Sequence, residues 1–416
     1  MIPDVLECVP ARIGFTDRLA LGFLSPDVRQ AMIKLLSLLP ALFFVQIVFA
    51  QNNRTGTSLH EFSVEINRNV ELLGFVYFLG YEGAEAGKDA YPEKMRQRYA
   101  YGLDLYRRYK SFAGNRNLAV VIGYAQDIWL DYFINLLVQL DNVPDAKLPE
   151  GLDTRYYIRF SPSGDAAEAR KHATAFLDAM NALYRDVDFG AILAEREIHY
   201  ANAVAQVRAG LPESGFLPAM EAFYQARFDN YLLVPSLMIP PGMGFGSRYH
   251  QHRDTYAVHV FGAFAPAQWT DPTRPDMGFG DKKHLRELST HEFGHSFVNP
   301  VIDKLPGDAI AGTATLFEPI REAMSNQAYT SWKACLYEHF VRAGEVIIAA
   351  NLGHQADARQ LRKYYIEGRK FIYLDILLDE LEKYNRKQTA SYEMAVAYAM
   401  RRLQTQADQA RGDRKE

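Results

Sequence analysis

Cysteine is almost absent from this chain: Cys8 and Cys335 are the only two in 416 residues. That rules out a disulfide framework and a thiolate zinc site, so the core must hold the fold. No cluster of lysine and arginine forms a basic stripe, and the formal net charge is −4. Nucleic acid is therefore not an expected partner. No internal repeat and no periodic aromatic pattern occurs, which excludes a solenoid and a base-stacking platform. No upstream segment offers a convincing cysteine or aspartate switch of the kind that silences a zymogen.

One long apolar run is present, Leu35 to Ala50, within MIKLLSLLPALFFVQIVFAQ at residues 32–51. Ser37, Pro40 and Gln46 interrupt it, so it is a poor membrane span. Lys34 ahead of the run and Val48-Phe49-Ala50 at its end give the three regions of a secretory signal peptide, with cleavage before Gln51. On this reading translation starts at Met32, residues 1–31 are a non-native extension, and the mature protein is periplasmic or extracellular with no stable membrane span. A buried core helix and an N-terminal anchor are the competing readings of the same run.

Hydrophobic spacing predicts a short strand running into a helix over 62–81, then helices over 92–114, 119–141, 161–187, 189–208 and 215–226. The period changes at 229. NYLLVPSLMIPP and DTYAVHVFGAF read as strands, with GMGFGSRYHQHR between them as a glycine-rich turn. Helices follow over 281–297, 316–326, 331–350, 369–384 and 389–404, with a loop near 299–315 and a frayed tail from 406. The fold class is α+β, mostly helical, with a small antiparallel sheet beside the helix that holds HEFGH. Residues 51–227 form a mainly helical region and 228–405 the region carrying the chemistry.

That chemistry centres on HEFGHSFVNP, 291–300. On a helix, residues four apart share a face, so His291 and His295 can reach one metal ion. Glu292 lies beside that ion, placed to take a proton from water. Gly294 in mid-helix costs roughly 1 kcal/mol against alanine, which suggests the close approach of another backbone. Were both histidines merely buried core residues, neither this glycine nor Glu292 would have a reason to be there. A catalytic zinc wants a third protein ligand and an open position. Val301 stands where a third histidine would fall six residues on. The helix over 331–347 offers Glu338 and His339, about 100° apart. Its apolar stripe (Trp332, Leu336, Phe340, Ala343, Ile347) puts His339 nearer the buried face. Glu318, Glu322 and Glu345 are weaker candidates that otherwise read as solvated surface, as do Lys282 and Lys283. Arg342, four residues after Glu338, can brace that carboxylate.

HEFGH followed by LYEHFVRA resembles a gluzincin-type metallopeptidase. More narrowly, VEINRNVELLGFVYFLG at 64–80, the glycine-rich turn, HEFGHSFVNP and EHFVRA resemble the bacterial DUF4932 group of predicted exported zincins, over about residues 60–385. The resemblance implies a zincin-like fold, a Zn(2+) cofactor and a peptide or protein substrate. It implies Glu338 as the third metal ligand, with Tyr337 standing where gluzincins carry asparagine. Glu292 is then the general base, and His339 is left free as the oxyanion donor. Tyr256 is a second donor candidate, with Tyr249, His250 and His252 nearby. The strand from 256 can bind an extended peptide along its edge. The alternatives are a non-peptidase zinc hydrolase and a binding protein with a vestigial site.

Expressed in its own host from Met32, the protein should be recovered beyond the inner membrane with Gln51 at its N-terminus. Intact mass spectrometry that finds residues 32–50 retained on a cytoplasmic protein would end that expectation.

Overall fold

The sheet is built around one nearly all-apolar strand. The computed structural model describes residues 61–88, 91–387 and 390–412; the proposed extension at 1–31 and signal peptide at 32–50 lie outside them. Strand β2 (Asn230–Pro235) has five of its six residues buried. It pairs in parallel on one side with β1 (Phe62–Val64) and on the other with β4 (Asp254–Phe261). Strands covered on both faces read as continuous apolar runs, and YLLVP is one. Strand β3 (Gly244–Gln251) pairs antiparallel with β4, giving the order β1-β2-β4-β3. The α+β class, mostly helical with a small sheet, is therefore observed, but only the β3–β4 hairpin is antiparallel and the sheet is mixed.

Two expectations change here. The glycine-rich segment between the predicted strands is not a turn: residues 244–251 of it are β3. Strand β4, expected to offer a peptide an edge, has both edges filled, and β3 lies at the border. The glycines misled because they answer to packing rather than to a turn. A Cβ on Gly246 would stand 2.2 Å from the Glu292 carbonyl oxygen, so the backbone of the motif helix lies directly against the strand. Gly294 has a different neighbour from the one expected: Val341 of a second helix, 3.1 Å from a Cβ placed there, and the Tyr224 hydroxyl at 3.4 Å.

The motif helix runs Lys282–Asp303. Asp281 caps it by accepting from the His284 amide at 2.9 Å. It continues through Pro300, beyond the predicted end at 297, because Phe293, Phe297, Val298 and Ile302 are all buried. Each contributes roughly 1.5–3 kcal/mol, comparable with the cost of the proline. Phe293 meets Phe62 at 6.1 Å and Tyr231 at 5.5 Å between ring centroids, and Phe297 stacks on Tyr224 at 4.7 Å. Strand β1, from the N-terminal side of the sequence division at 227/228, is part of the same sheet as β2 to β4.

The second helix of the site is Trp332–Asn351, capped by Ser331 on the Ala334 amide. The predicted loop over 299–315 is mostly helical, with Gly307–Thr313 a further helix. The segment expected as a helix over 119–141 is two, Arg116–Ala125 and Leu130–Leu137. The tail is not frayed from 406: its helix extends to Gly412, and Arg411 donates to the Gly312 carbonyl at 2.7 Å. Among the described residues no helix is long and apolar enough to cross a membrane.

Gly246→Ala should lower stability by about 1–3 kcal/mol or more through overpacking against the motif helix. Gly123→Ala, in a helix where a new Cβ meets nothing within 4 Å, should instead raise it by about 0.5–1 kcal/mol. Chemical denaturation of the two variants checks the contrast; equal effects would show that the strand–helix contact is loose.

Candidate metal centre

His291, His295 and Glu338 converge. One ligand atom from each lies within 4.8 Å of the other two. The two Nε2 atoms are 3.2 Å apart, His295 Nε2 is 3.2 Å from Glu338 Oε1, and His291 Nε2 is 3.8 Å from Glu338 Oε2. Tetrahedral bonds of about 2.0–2.1 Å separate ligand atoms by about 3.3 Å, so these spacings suit a divalent cation.

The tautomers point the same way. His291 Nδ1 donates to Glu345 Oε1 at 2.7 Å. Its Nε2 therefore carries a lone pair into the cluster. His295 Nδ1 donates to Asn299 Oδ1 at 3.2 Å and presents its Nε2 likewise. With both imidazoles neutral, two lone pairs and a carboxylate face one another in a partly buried space, an arrangement that suits a cation among them. Without one, burial opposes a charge on His295, but the Glu338 carboxylate beside it raises the imidazole pKa to about 9, so that a proton takes that place. Asn299 reaches His295 because the helix continues past 297.

Glu338 is 7% exposed. Burial alone would raise its pKa, but Arg342, His291 and His295 outweigh that and hold it well below the usual carboxylate range. Arg342 Nη2 donates to Glu338 Oε2 at 2.8 Å. The predicted i+4 brace therefore exists, and it is buried rather than a surface pair. Burial also opposes ionisation of Glu345, yet His291, Arg342 and the Tyr365 hydroxyl, which donates to its Oε2, keep it below its ordinary value. Glu345 is thus neither a ligand nor solvated surface. It orients His291. The hydroxyl of Tyr337 donates to Asp303 and takes no part in bracing Glu338.

Glu292 is buried beside the cluster, with its carboxylate 2.9 Å from where a Cβ on Gly244 would sit. Desolvation raises its pKa, with the two histidines and a hydrogen bond from the Gly246 amide opposing. A carboxylate moved up in this way is suited to accepting and returning a proton.

Other expectations are corrected. His339 is fully buried, but the structure brings it to an aromatic box of Trp332, Phe371 and Tyr373, at centroid distances of 6.1, 4.8 and 6.0 Å. Its Nδ1 donates to the Cys335 carbonyl at 2.7 Å, and burial lowers its pKa to about 4. It faces away from the cluster because it lies about 100° around the helix from Glu338. Tyr256 stacks on Tyr249 at 4.8 Å. It is three residues along β4 from His259, the partner of Gly246, or about 10 Å. His250 and His252 are exposed at the hairpin end. Glu318 and Glu322 are exposed, as are Lys282 and Lys283. Asn299, Tyr365 and Tyr329 were not anticipated. Tyr329 accepts from Arg342 at 3.2 Å.

Fold and cluster together define a mostly helical α+β protein with a partly buried His/His/Glu site able to coordinate a divalent metal. The model of a domain of unknown function, DUF4932, matches residues 134–398, and the chain belongs to that family. The match takes in β2 to β4 and both site helices; VEINRNVELLGFVYFLG, which seemed to carry part of the likeness, lies outside it. No curated protein and no solved structure matches.

Glu338→Ala should abolish tight metal binding, and Glu345→Gln should weaken it about 10- to 100-fold by releasing His291. His339→Ala should leave metal affinity intact and lower stability alone. Competition against a chromophoric chelator reads all three. Metal lost from the His339 variant but kept by the Glu338 variant would reverse the ligand assignment.

Proposed function

We propose that this protein is a zinc-dependent peptidase, exported to the periplasm or beyond, that cleaves peptide bonds with Glu292 as general base. The observation carrying the proposal is the position of Glu292: a buried carboxylate of raised pKa next to three converging ligand atoms. Metal binding alone has no use for it, which argues against a vestigial site. Zinc is favoured by the two-imidazole, one-carboxylate donor set with room for an open position.

A bound zinc ion would supply Lewis acidity toward the scissile carbonyl and lower the pKa of water. The chain's own residues do the rest. Glu292 takes the proton from the attacking water and returns it to the departing amine. Glu345 and Asn299 fix the imidazole tautomers, and Arg342 keeps Glu338 ionised.

Strand β3 supports a peptide as the substrate class. It borders the sheet directly against Glu292, and no further strand pairs with it among the described residues. Its Arg248 carbonyl is taken by the Tyr156 hydroxyl at 2.6 Å. The segment beside Glu292, Gly244 to Gly246, is where an extended peptide would add as a strand. This edge is what favours a peptidase over another metal hydrolase.

Glu292→Gln should retain stoichiometric zinc and a native melting temperature while losing hydrolysis of a peptide library by about 100-fold or more. His291→Ala should lose zinc, and with it the stability that the bound metal adds. A Glu292→Gln protein as metal-free as the histidine variant would make Glu292 a structural residue and sink the proposal, as would a zinc-loaded wild type that cuts no peptide.

A further inference from the structure

Hydrolysis needs a hydrogen-bond donor for the oxygen that gains negative charge, and the two residues anticipated for that role face elsewhere. Other hydroxyls around the site are engaged or enclosed. Tyr365 donates to Glu345, and Tyr337 to Asp303. The Tyr224 hydroxyl is fully buried and wedged between Gly294 and Gly344, 3.4 and 2.3 Å from Cβ positions there. Tyr329 differs from all of these. It is only partly buried, its hydroxyl oxygen accepts from Arg342 Nη2 at 3.2 Å, and the phenol proton has no acceptor among the described residues. The same Arg342 nitrogen donates to Glu338 Oε2 at 2.8 Å. Two acceptors sharing one donor nitrogen lie about 5 Å apart, so the phenol stands beside the carboxylate that completes the cluster.

The backbone is built to hold it there. Tyr329 follows Ala328, a non-glycine residue at φ 71°. A left-handed alanine costs on the order of 1–2 kcal/mol and persists only where its surroundings impose it. Here the amides of Ala328 and Tyr329 donate to the carbonyls of Ser325 and Met324, both at 2.9 Å. The Gln327 side chain pins the turn by donating to the carbonyls of Ala323 and Arg369 at 2.8 and 2.9 Å.

We infer that Tyr329 is a catalytic residue whose phenol donates a hydrogen bond to the oxyanion formed from the substrate carbonyl, with Arg342 fixing the phenol oxygen. The inference rests on the peptidase reading. The proton stays on the phenol throughout, so the step needs no further acid or base.

The test compares Tyr329→Phe with Tyr337→Phe, each zinc-loaded. Three readings are taken: zinc affinity by chelator competition, binding of acetohydroxamate, and kcat/KM on the peptides that the wild type cuts. Tyr329→Phe should keep its zinc affinity, weaken acetohydroxamate about tenfold and lower kcat/KM roughly 100-fold. Tyr337→Phe should change none of the three. Full activity and unchanged hydroxamate binding in Tyr329→Phe would overturn the inference. So would a fall in zinc affinity that accounts for the activity lost, since Tyr329 would then act through Arg342 and Glu338 as a positioning residue. A wild type that binds hydroxamate but cuts no peptide removes the peptidase reading, and the hydroxamate comparison still decides whether the phenol faces the metal. A wild type that binds no hydroxamate overturns both.

Discussion

Everything around this site depends on a buried imbalance of charge. Glu292, Glu338 and Glu345 are buried within one neighbourhood, and the buried cation Arg342 reaches two of them, at 2.8 Å from Glu338 and 3.9 Å from Glu345. With the two imidazoles counted as neutral ligands, three formal negative charges against one positive leave a deficit of two, which one divalent cation would cancel. Without it, Glu338 and Glu292 overcome the effect of burial and raise the His295 pKa to about 9. Buried charge left uncompensated costs several kcal/mol per ion. Arg342 also lies over the rings of Tyr365 and Phe371 at 4.7 and 4.8 Å, so its own desolvation is offset by cation–π contact as well as by the carboxylates. The two helices are thus held together by electrostatics at the site and by apolar packing away from it.

The metal motif was legible because its information is local. His291, Glu292 and His295 need only the geometry of one helix, and the sequence carries that in full. Glu338 was harder, since its placement depends on how a second helix is rotated. The stripe of Trp332, Leu336, Phe340, Ala343 and Ile347 gave a direction, but from Glu338 to Ile348 every residue of this helix is buried. A helix enclosed all round has no exposed face from which to measure orientation. His339 and Glu338 are both inside, one in an aromatic box and one at the cluster. Glu345 was read as surface for the same reason. It lies seven residues from Glu338 on one face, and that face is an interface.

Strand β3 was illegible for a different reason. Its sequence, GFGSRYHQ, carries the glycines of a turn and little of the β-branched content of a strand. Those glycines are explained only by something distant in the chain, the backbone of Glu292 pressed against Gly246. Local propensity cannot report a contact 46 residues away in sequence, and the same contact supplies the amide that bonds the Glu292 carboxylate.

That contact also sets how the site can work. A larger residue at 246 would push the motif helix away from the strand, moving Glu292 and the two histidines together, because all three ride on one rigid helix. A substrate strand paired to β3 would be referenced to the same backbone that positions Glu292. On the proposed peptidase reading, the distance between the reacting carbonyl and Glu292 would then be fixed through one strand–helix contact rather than through flexible side chains. Small misplacements of reacting groups cost large factors in rate. The poor strand propensity of two glycines is therefore the condition for bringing the β3 edge and the Glu292 carboxylate within reach of each other, and a better strand former at 246 would separate them.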